Sequence, residues 1–231
     1  MAAMWAAVGF MGFISSSAAV AFSDLNEDLW AGGIDLSWKA TDRLSLSAGY
    51  AYTDTRRRSI ALDGPATETF AGHGRNERIE YQGIFDIADG WQLTGGLERE
   101  TSRFSSSSFG AVPSVGRARI DSVYAQIVAS PVAGLTLTGG VRYTDEHKDY
   151  TFVRKNYNGT VSTFLGALDG VKATYDGSRW DWRVSADYRF SPQILAYVTV
   201  GTGFKGGGVT ARPFDAAQAL NGSFGPETVT A

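Results

Sequence analysis

The sequence of 231 residues contains no cysteine, which excludes disulfide bridges and thiolate metal sites. Histidine is almost as scarce and occurs only as His73 and His147. No run of about twenty apolar residues is present, so the sequence does not predict a transmembrane helix. The formal net charge of −3 does not indicate a nucleic-acid partner.

Glycine and aromatic residues, by contrast, are abundant. There are 28 Gly, 6 Trp, 10 Tyr and 13 Phe, a composition that suits strands with aromatic anchors better than helices. A chain of 231 residues is long enough to bury a sizeable core. Its apolar residues nevertheless alternate with polar ones and do not cluster as two packed sheets would require.

The clearest alternation lies between residues 121 and 149. Four apolar residues fall on one face of its second half: Leu135, Leu137, Val141 and Tyr143. Four polar residues fall on the other face: Thr136, Thr138, Arg142 and Thr144. A period of two predicts a strand with one apolar and one polar face. Residues 123–129 form a second predicted strand, and residues 130–134 are the tight connection between the two.

This hairpin recurs along the chain. Residues 29–53, 79–99 and 180–204 show the same pattern, with short turns at 40–43, 89–90 and 191–193. Longer polar segments join the hairpins, and we predict loops at about 56–76, 102–116 and 149–178. Short turns at one rim and long loops at the other predict an all-β fold, an antiparallel up-and-down transmembrane β-barrel.

Residues 1–29 precede the first clear hairpin, and two interpretations apply to them. Residues 2–14 are apolar and Ala19-Val20-Ala21 resembles a signal-peptidase site, but no Lys or Arg precedes the apolar run. A cleaved signal peptide is one interpretation. The other, which we favour, is that residues 8–22 are the remnant of a strand from a longer protein.

The two faces of the predicted strands require different environments. Trp30 and Trp38 stand at the two ends of one apolar face, as expected of a strand that crosses both membrane interfaces. Charges at alternate positions suit a watery lumen and would be costly in a dry core. We therefore predict that four residues face lipid, namely Leu137, Val141, Trp182 and Val184. Arg142, Arg183 and Asp187 are predicted to face the lumen.

A basic cluster, Arg56-Arg57-Arg58, opens the first predicted loop. At an outer rim such a cluster is suited to the phosphates of lipopolysaccharide. A solvated charge run is the alternative, which this pattern more often indicates. Neither interpretation assigns a ligand-binding residue.

Two motifs resemble functional sites without their structural context. Residues 201–206 match G-x-G-x-x-G, but the glycines and proline that follow leave no place for the helix that a dinucleotide site requires. Asp145-Glu146-His147-Lys148-Asp149 contains metal-ligand types, but neighbouring side chains of a strand point to opposite faces. We therefore predict no catalytic, cofactor-binding or metal-binding residue, and no enzyme.

Several segments resemble the barrel of the TonB-dependent outer-membrane receptors. Gly139-Gly140-Val141-Arg142-Tyr143-Thr144-Asp145-Glu146-His147-Lys148-Asp149 resembles the family's GGxRYTDExKD segment. Residues 197–208 resemble its YxSxSxGFKxGG strand and loop. Phe224-Gly225-Pro226-Glu227 resembles the F-x-PE that precedes its next strand, and residues 44–55 are also similar. The resemblance covers roughly residue 23 to the end.

The resemblance implies a barrel of about 22 strands, of which this chain supplies eight or nine. The family's plug domain and TonB-contacting segment are not visible. We therefore predict an internal piece of a receptor barrel. Residues 1–29 are an uncertain amino-terminal segment, 30–205 a partial barrel of four hairpins, and 206–231 an extracellular loop that leads to a missing strand.

The resemblance also implies a function, the import of scarce nutrients such as ferric siderophores across the outer membrane of a Gram-negative bacterium. The expected partners are outer-membrane lipid and lipopolysaccharide, a bulky siderophore-like ligand, and TonB only through the missing plug region. The residues that bind the ligand stay unassigned. Two alternatives come from other classes: a self-contained eight-stranded barrel with a structural or adhesive role, and a soluble all-β ligand-binding module.

Overall fold

A computed structural model describes residues 6–7, 14–23, 27–61, 67–108, 113–156, 158–163, 166–210, 213 and 215–231. Within these residues the chain forms thirteen strands, a single 3-10 turn at Gly166–Leu168 and one short helix, α1, at Ala216–Asn221. The strands are β1 (Ala6–Ala7), β2 (Ile14–Ser23), β3 (Glu27–Lys39), β4 (Leu44–Ala61), β5 (Thr67–Ala88), β6 (Trp91–Ser108), β7 (Ser114–Val132), β8 (Leu135–Thr151), β9 (Lys172–Ser191), β10 (Ile194–Lys205), β11 (Gly208–Val209), β12 (Ser223–Phe224) and β13 (Glu227–Thr230).

The strands β1 to β10 lie side by side in chain order in one antiparallel sheet, and β13 follows β10 at its edge. Nine of them, β2 to β10, are between 10 and 22 residues long. The predicted up-and-down order and strand number are thus confirmed. Among the described residues the two edges of the sheet do not meet, so a self-contained eight-stranded barrel is not formed.

The four predicted short turns are confirmed at one rim. Four residues separate β3 from β4, and two residues separate the strands at each of the other three turns. The central turn is tighter than predicted, because Pro131 and Val132 belong to β7 after an irregularity in its register. Gly134 closes this turn with φ of 81°, and a Cβ there would lie 2.8 Å from the Arg189 carbonyl oxygen. Glycine meets both constraints without strain.

The predicted loops at the other rim are wrong in extent, because the strands continue into them. The first was placed at 56–76, yet β4 runs to Ala61 and pairs with β5 through this region, with Arg56 opposite His73. β6 and β7 likewise extend into 102–116, and β9 begins at Lys172. Serine and glycine predicted loops here, but cross-strand pairing continues the backbone ladder past the apolar part of each strand.

Cross-strand registers divide the sheet into an apolar face and a polar face. One apolar row crosses five neighbouring strands: Tyr81, Leu97, Val123, Tyr143 and Trp180. The adjacent row, on the opposite face, is polar: Glu80, Glu98, Ser122, Thr144 and Arg179. The same registers confirm the division predicted for the seven residues assigned to lipid and lumen, because Val141 pairs with Trp182 while Gly140 pairs with Arg183.

The apolar face is exposed. Trp180 is 66% exposed, Val184 55% and Leu97 57%, and no second layer covers this face among the described residues. Buried apolar residues instead form one small cluster at the loop rim: Tyr150, Phe152, Leu168, Ala173 and Ala219. A water-soluble sandwich would bury such a face against a second sheet. An exposed apolar face of this extent is unlike the surface of a water-soluble monomer and argues against the soluble module.

Candidate functional site

The polar face carries a network of charged side chains centred on Glu98. Arg78 Nη2 lies 2.6 Å from one carboxylate oxygen of Glu98, and Arg142 Nη2 donates to the other at 2.7 Å. Arg142 also donates to the Ser122 hydroxyl at 2.9 Å. The side chain of Glu98 is only 9% exposed. Three strands, β5, β6 and β8, thus contribute to one set of charge-assisted bonds.

Tyr124 links this network to the neighbouring row. Its hydroxyl donates to Glu80 at 2.8 Å and accepts from Gln82 Nε2 at 2.9 Å, while the Arg142 guanidinium lies 5.8 Å from its ring centroid. The ring occupies the space above Gly96, where any Cβ would overlap it. Glycine at position 96 is therefore required for this arrangement.

A second group of polar side chains joins β9 to β10. The Arg179 guanidinium stacks 3.7 Å from the centroid of the Phe204 ring, and its Nε lies 3.3 Å from Asp181. The Thr202 hydroxyl donates to Asp181 at 3.2 Å. Arg179 Nε and Nη1 have no hydrogen-bond partner among the described residues, although the side chain is only 13% exposed. Arg179 is therefore a largely buried cation with hydrogen-bonding capacity left over.

The segment after β10 folds back over the polar face at the loop rim. Lys148 Nζ donates to the Gly207 carbonyl at 2.6 Å and to Glu146 at 3.1 Å, and it lies 5.5 Å from the Tyr175 ring centroid. Glu146 is 6% exposed, and a Cβ at Gly206 would lie 2.6 Å from its carboxylate. Only glycine lets the chain pass this close to the strands.

Polar bonds hold the described parts of the connection between β8 and β9. The backbone N–H of Arg154 donates to Asp169 at 3.0 Å, and Lys155 Nζ lies 3.0 Å from the same carboxylate. These two partners lower the pKa of the Asp169 carboxyl, the backbone bond being the larger cause. Helix α1 begins with Asp215 as its N-cap, which accepts from the Gln218 N–H at 2.7 Å, and its Ala219 packs in the apolar cluster.

The structure separates the residues of the apparent metal motif. Glu146 and Lys148 lie on the polar face, whereas His147 bonds Asp176 on the opposite face. His73 Nε2 lies 2.9 Å from Asp54. Within the described ranges no group of three metal-ligand side chains converges. The glycine motif at 201–206 is followed by β11, and α1 begins ten residues after it.

In the described ranges, no helix is both long enough and apolar enough to span a membrane. The comparison with known families identifies the sheet. Residues 12–231 match the family described as TonB dependent receptor-like, beta-barrel. The chain belongs to this family. Its members are receptors and transporters, which are not enzymes.

Solved structures of TonB-dependent receptors show the same fold. The ferric yersiniabactin uptake receptor FyuA from Yersinia pestis matches 88% of this chain with a TM-score of 0.66 at 15% identity. The ferric citrate transporter FecA matches 88% with a TM-score of 0.58 at 13% identity, and the ferric-catecholate import receptor Fiu from E. coli K12 matches 77% with a TM-score of 0.56 at 11% identity.

The chain spans about a third of the length of these receptors, since it covers 32%, 31% and 35% of the three. The described sheet is therefore a partial receptor barrel. In such a barrel an exposed apolar face contacts lipid, and the opposite face lines the interior. The network around Glu98 belongs to the wall of this interior.

The sequence indicated that this wall is polar, but it did not indicate which charges meet. Glu98 and Arg142 are separated by 44 residues, and their contact depends on the registers of two intervening ladders. Alternation along one strand contains no information about the neighbouring strand. The buried Arg179 was missed for the same reason, since Phe204 lies on a different strand.

We predict that Glu98→Gln weakens the barrel wall. The substitution removes the carboxylate that Arg78 and Arg142 share. Arg78 keeps its contact with Glu80 and both arginines are partly exposed, so the loss should be about 1–2 kcal/mol. Glu100→Gln is the matched control, because Glu100 accepts a single bond from Asn76 at 2.9 Å. Denaturant midpoints of the full-length receptor in detergent provide the measurement. Equal midpoints for the two variants would contradict the prediction.

Proposed function

We propose that this chain is part of an outer-membrane transporter that imports a scarce nutrient such as a ferric siderophore. One observation carries the proposal: nine consecutive strands combine an exposed apolar face with an ion-paired polar face. Such a sheet suits lipid on one side and a watery passage on the other. FyuA, FecA and Fiu, which share the fold, are receptors or transporters of ferric ligands.

The proposed location is the outer membrane of a Gram-negative bacterium, with lipid and lipopolysaccharide around the apolar face. The long connections and the segment over β8 and β9 would lie at the outer rim and gather the ligand. The polar face would line its path. TonB would act through a plug region that contacts this wall, and no nucleic-acid partner is proposed. The ligand would be a bulky ferric chelate.

The proposed mechanism assigns the wall a passive part in transport. Charged pairs such as Arg142 with Glu98 hold their side chains against the strands, so the interior stays polar without free charge at that point. Arg179 has two unused donors, which suit an anionic ligand or a plug carboxylate that enters the interior. No bond of the ligand is made or broken in this process.

An uptake experiment tests the proposal. The full-length protein is expressed in cells that lack their own ferric-siderophore receptors, and uptake of radioactive iron is measured with ferric yersiniabactin, ferric citrate and a ferric catecholate. We expect uptake with at least one ferric chelate, and loss of that uptake when TonB is deleted. Equal uptake without TonB, or no uptake of any ferric chelate by a receptor shown to be folded at the cell surface, would refute the proposal.

The orientation of the barrel can be tested separately by cysteine labelling, since these 231 residues contain no cysteine. We predict that the short turns near Asp42, Gly90, Ala133 and Pro192 lie at the periplasmic rim, and that the loops near Asn158 and Ala216 lie outside, because short turns are periplasmic in such barrels. Asn158→Cys should react with an impermeant reagent on whole cells, whereas Asp42→Cys and Ala133→Cys should not. The reverse pattern would show that the orientation is inverted.

A further inference from the structure

The apolar face ends, toward the loop rim, in a row of arginines. Arg75, Arg103 and Arg117 occupy directly paired positions on β5, β6 and β7. They lie on the apolar face, because each is six positions, an even offset, from an apolar residue of its own strand: Tyr81, Leu97 and Val123. The row therefore belongs to the outer surface of the barrel and not to its interior.

Like charges in directly opposed positions destabilise a sheet, since their Cβ atoms are about 4.5–5.5 Å apart. The first arginine of the row is compensated, because Arg75 Nε donates to Asp54 at 2.9 Å. Arg103 and Arg117 face each other across β6 and β7 and have no hydrogen bond or ion pair among the described residues. Both are exposed. Asp149 stands opposite Arg117 on β8 but makes no ion pair with it, so both guanidinium groups keep donors that suit an anion.

An open groove runs between these side chains. Its lining includes Arg75, Arg103, Arg117, Arg119 and His147, together with two carboxylates, Glu77 and Asp149. Two of its four arginines have a carboxylate partner beside the groove, since Arg75 is paired with Asp54 and Arg119 with Asp121. Arg119 Nε lies 3.3 Å from Asp121, a residue that also pairs with Arg99. Arg103 and Arg117 are therefore the two arginines of the groove without an ion pair among the described residues, and guanidinium forks match the geometry of phosphate oxygens.

The position of the groove indicates which phosphate would fill it. Toward the loop rim, Arg119 lies four residues from Val123, which is about 13 Å along β7. Arg103 lies six residues from Leu97, which is about 20 Å along β6. A strand tilt of about 45° reduces these to heights of roughly 9 Å and 14 Å above the last full apolar row. Tyr81, Tyr143 and Trp180 in that row are the aromatic residues expected at the interface. The groove would therefore stand at the level of the lipid headgroups.

We propose that Arg103 and Arg117, with Arg119 beside them, bind a phosphate group on the saccharide headgroup of an outer-leaflet glycolipid. This inference rests on the proposed outer-membrane location and orientation, but not on the transported ligand. The sequence suggested a lipopolysaccharide contact at Arg56-Arg57-Arg58. The proposed contact lies instead at the arginine row, whose members are brought together by the pairing of β5, β6 and β7. A phosphate there would offset the repulsion between the directly paired Arg103 and Arg117.

The test measures, by native mass spectrometry, how tightly the full-length receptor in detergent binds lipid A. Phosphorylated and dephosphorylated lipid A are compared. The variant is Arg103→Gln with Arg117→Gln. The control is Lys172→Gln, which removes an exposed cation from the same face and rim, two strands away from β7. We expect about a tenfold or greater loss of affinity for phosphorylated lipid A in the double variant, because two charge-assisted contacts disappear. The control should bind like the unmodified receptor.

Three further measurements separate the explanations. Dephosphorylated lipid A should bind the unmodified receptor as weakly as phosphorylated lipid A binds the double variant, and millimolar inorganic phosphate should not displace the lipid. Without lipid, the double variant should melt at the same or a higher temperature, because the like-charge pair is gone. Unchanged lipid affinity, equal binding of the two lipids, displacement by inorganic phosphate alone, or a lowered melting temperature without lipid would overturn the inference.

The outcome can be read independently of transport. Iron uptake by the double variant is measured in the same cells as in the uptake experiment. Normal uptake with unchanged lipid affinity refutes the phosphate site alone. If the unmodified receptor takes up no iron but the variants still differ in their binding of phosphorylated lipid A, the transport proposal is refuted and the phosphate site is supported.

Discussion

Val184→Arg is expected to prevent most of the receptor from assembling, whereas Ser185→Arg should be tolerated. Val184 lies on the apolar face, is 55% exposed, and stands between Gly139 and Val200 on the neighbouring strands. It also lies midway between Trp180 and Tyr188 on β9. An arginine at the lipid-facing midplane of a barrel costs about 2–4 kcal/mol. That loss is a large fraction of the stability of a typical domain.

Ser185 provides a matched control because it is the next residue on the same strand. It lies on the polar face between Thr138 and Thr199, so an arginine there points into the interior. The two variants are compared in the full-length receptor by the amount of heat-modifiable protein in the outer membrane. Equal assembly of the two would mean that the register of β9 is shifted by one residue, since such a shift exchanges the faces.

Residues 1–231 expressed alone should fail to form a closed barrel and should aggregate in detergent. Within a bilayer every backbone group needs an internal partner, because no water is present to satisfy it. On the edge away from β9, β10 pairs with β13 from Thr202 to Lys205 and Gly201 bonds Ala231, which leaves residues 194–200 as an open edge among the described residues. This edge contains no charge or proline, and Tyr197 is 75% exposed. Such an edge is a template for pairing with another chain.

Size-exclusion chromatography and heat-modifiability on gels test this expectation, with the full-length receptor in the same detergent as the control. The isolated segment should elute as large, polydisperse material and show no heat-dependent shift. A monodisperse, heat-modifiable monomer would contradict the prediction. It would show that β10 pairs with the opposite edge of the sheet and would favour the eight-stranded barrel instead.

Strand boundaries show where sequence patterns mislead. Ser105 to Ser108 and Gly72 to Gly74 have loop-like composition, yet both stretches are paired in the ladder between β5 and β6. Composition reports what a residue prefers when it is alone. A neighbouring strand that is already held in place satisfies the backbone of such residues, and the preference is overridden. The predicted turns were reliable because a short turn depends on residues that are adjacent in the chain.

The chain after Lys205 also acquires its meaning from distant partners. The sequence predicted an extracellular loop for 206–231. The structure shows Gly207 bonded to Lys148, α1 packed into the apolar cluster, and Glu227 to Thr230 paired with β10. The glycines at 206 and 207 lie in that predicted loop. Their steric role appears only where Glu146 and Tyr175 approach them.

The sequence by itself determined the class of the fold, the number of strands, the turns at one rim and the division of the strands into apolar and polar faces. These properties follow from a period of two and from turn residues, which are local. Only the tertiary structure decided that Glu98 bridges Arg78 and Arg142, that Arg179 is buried against Phe204, and that Arg75, Arg103 and Arg117 form one row. The physical reason is register: a strand specifies which of its side chains share a face, but the ladder of hydrogen bonds decides which residues stand opposite one another.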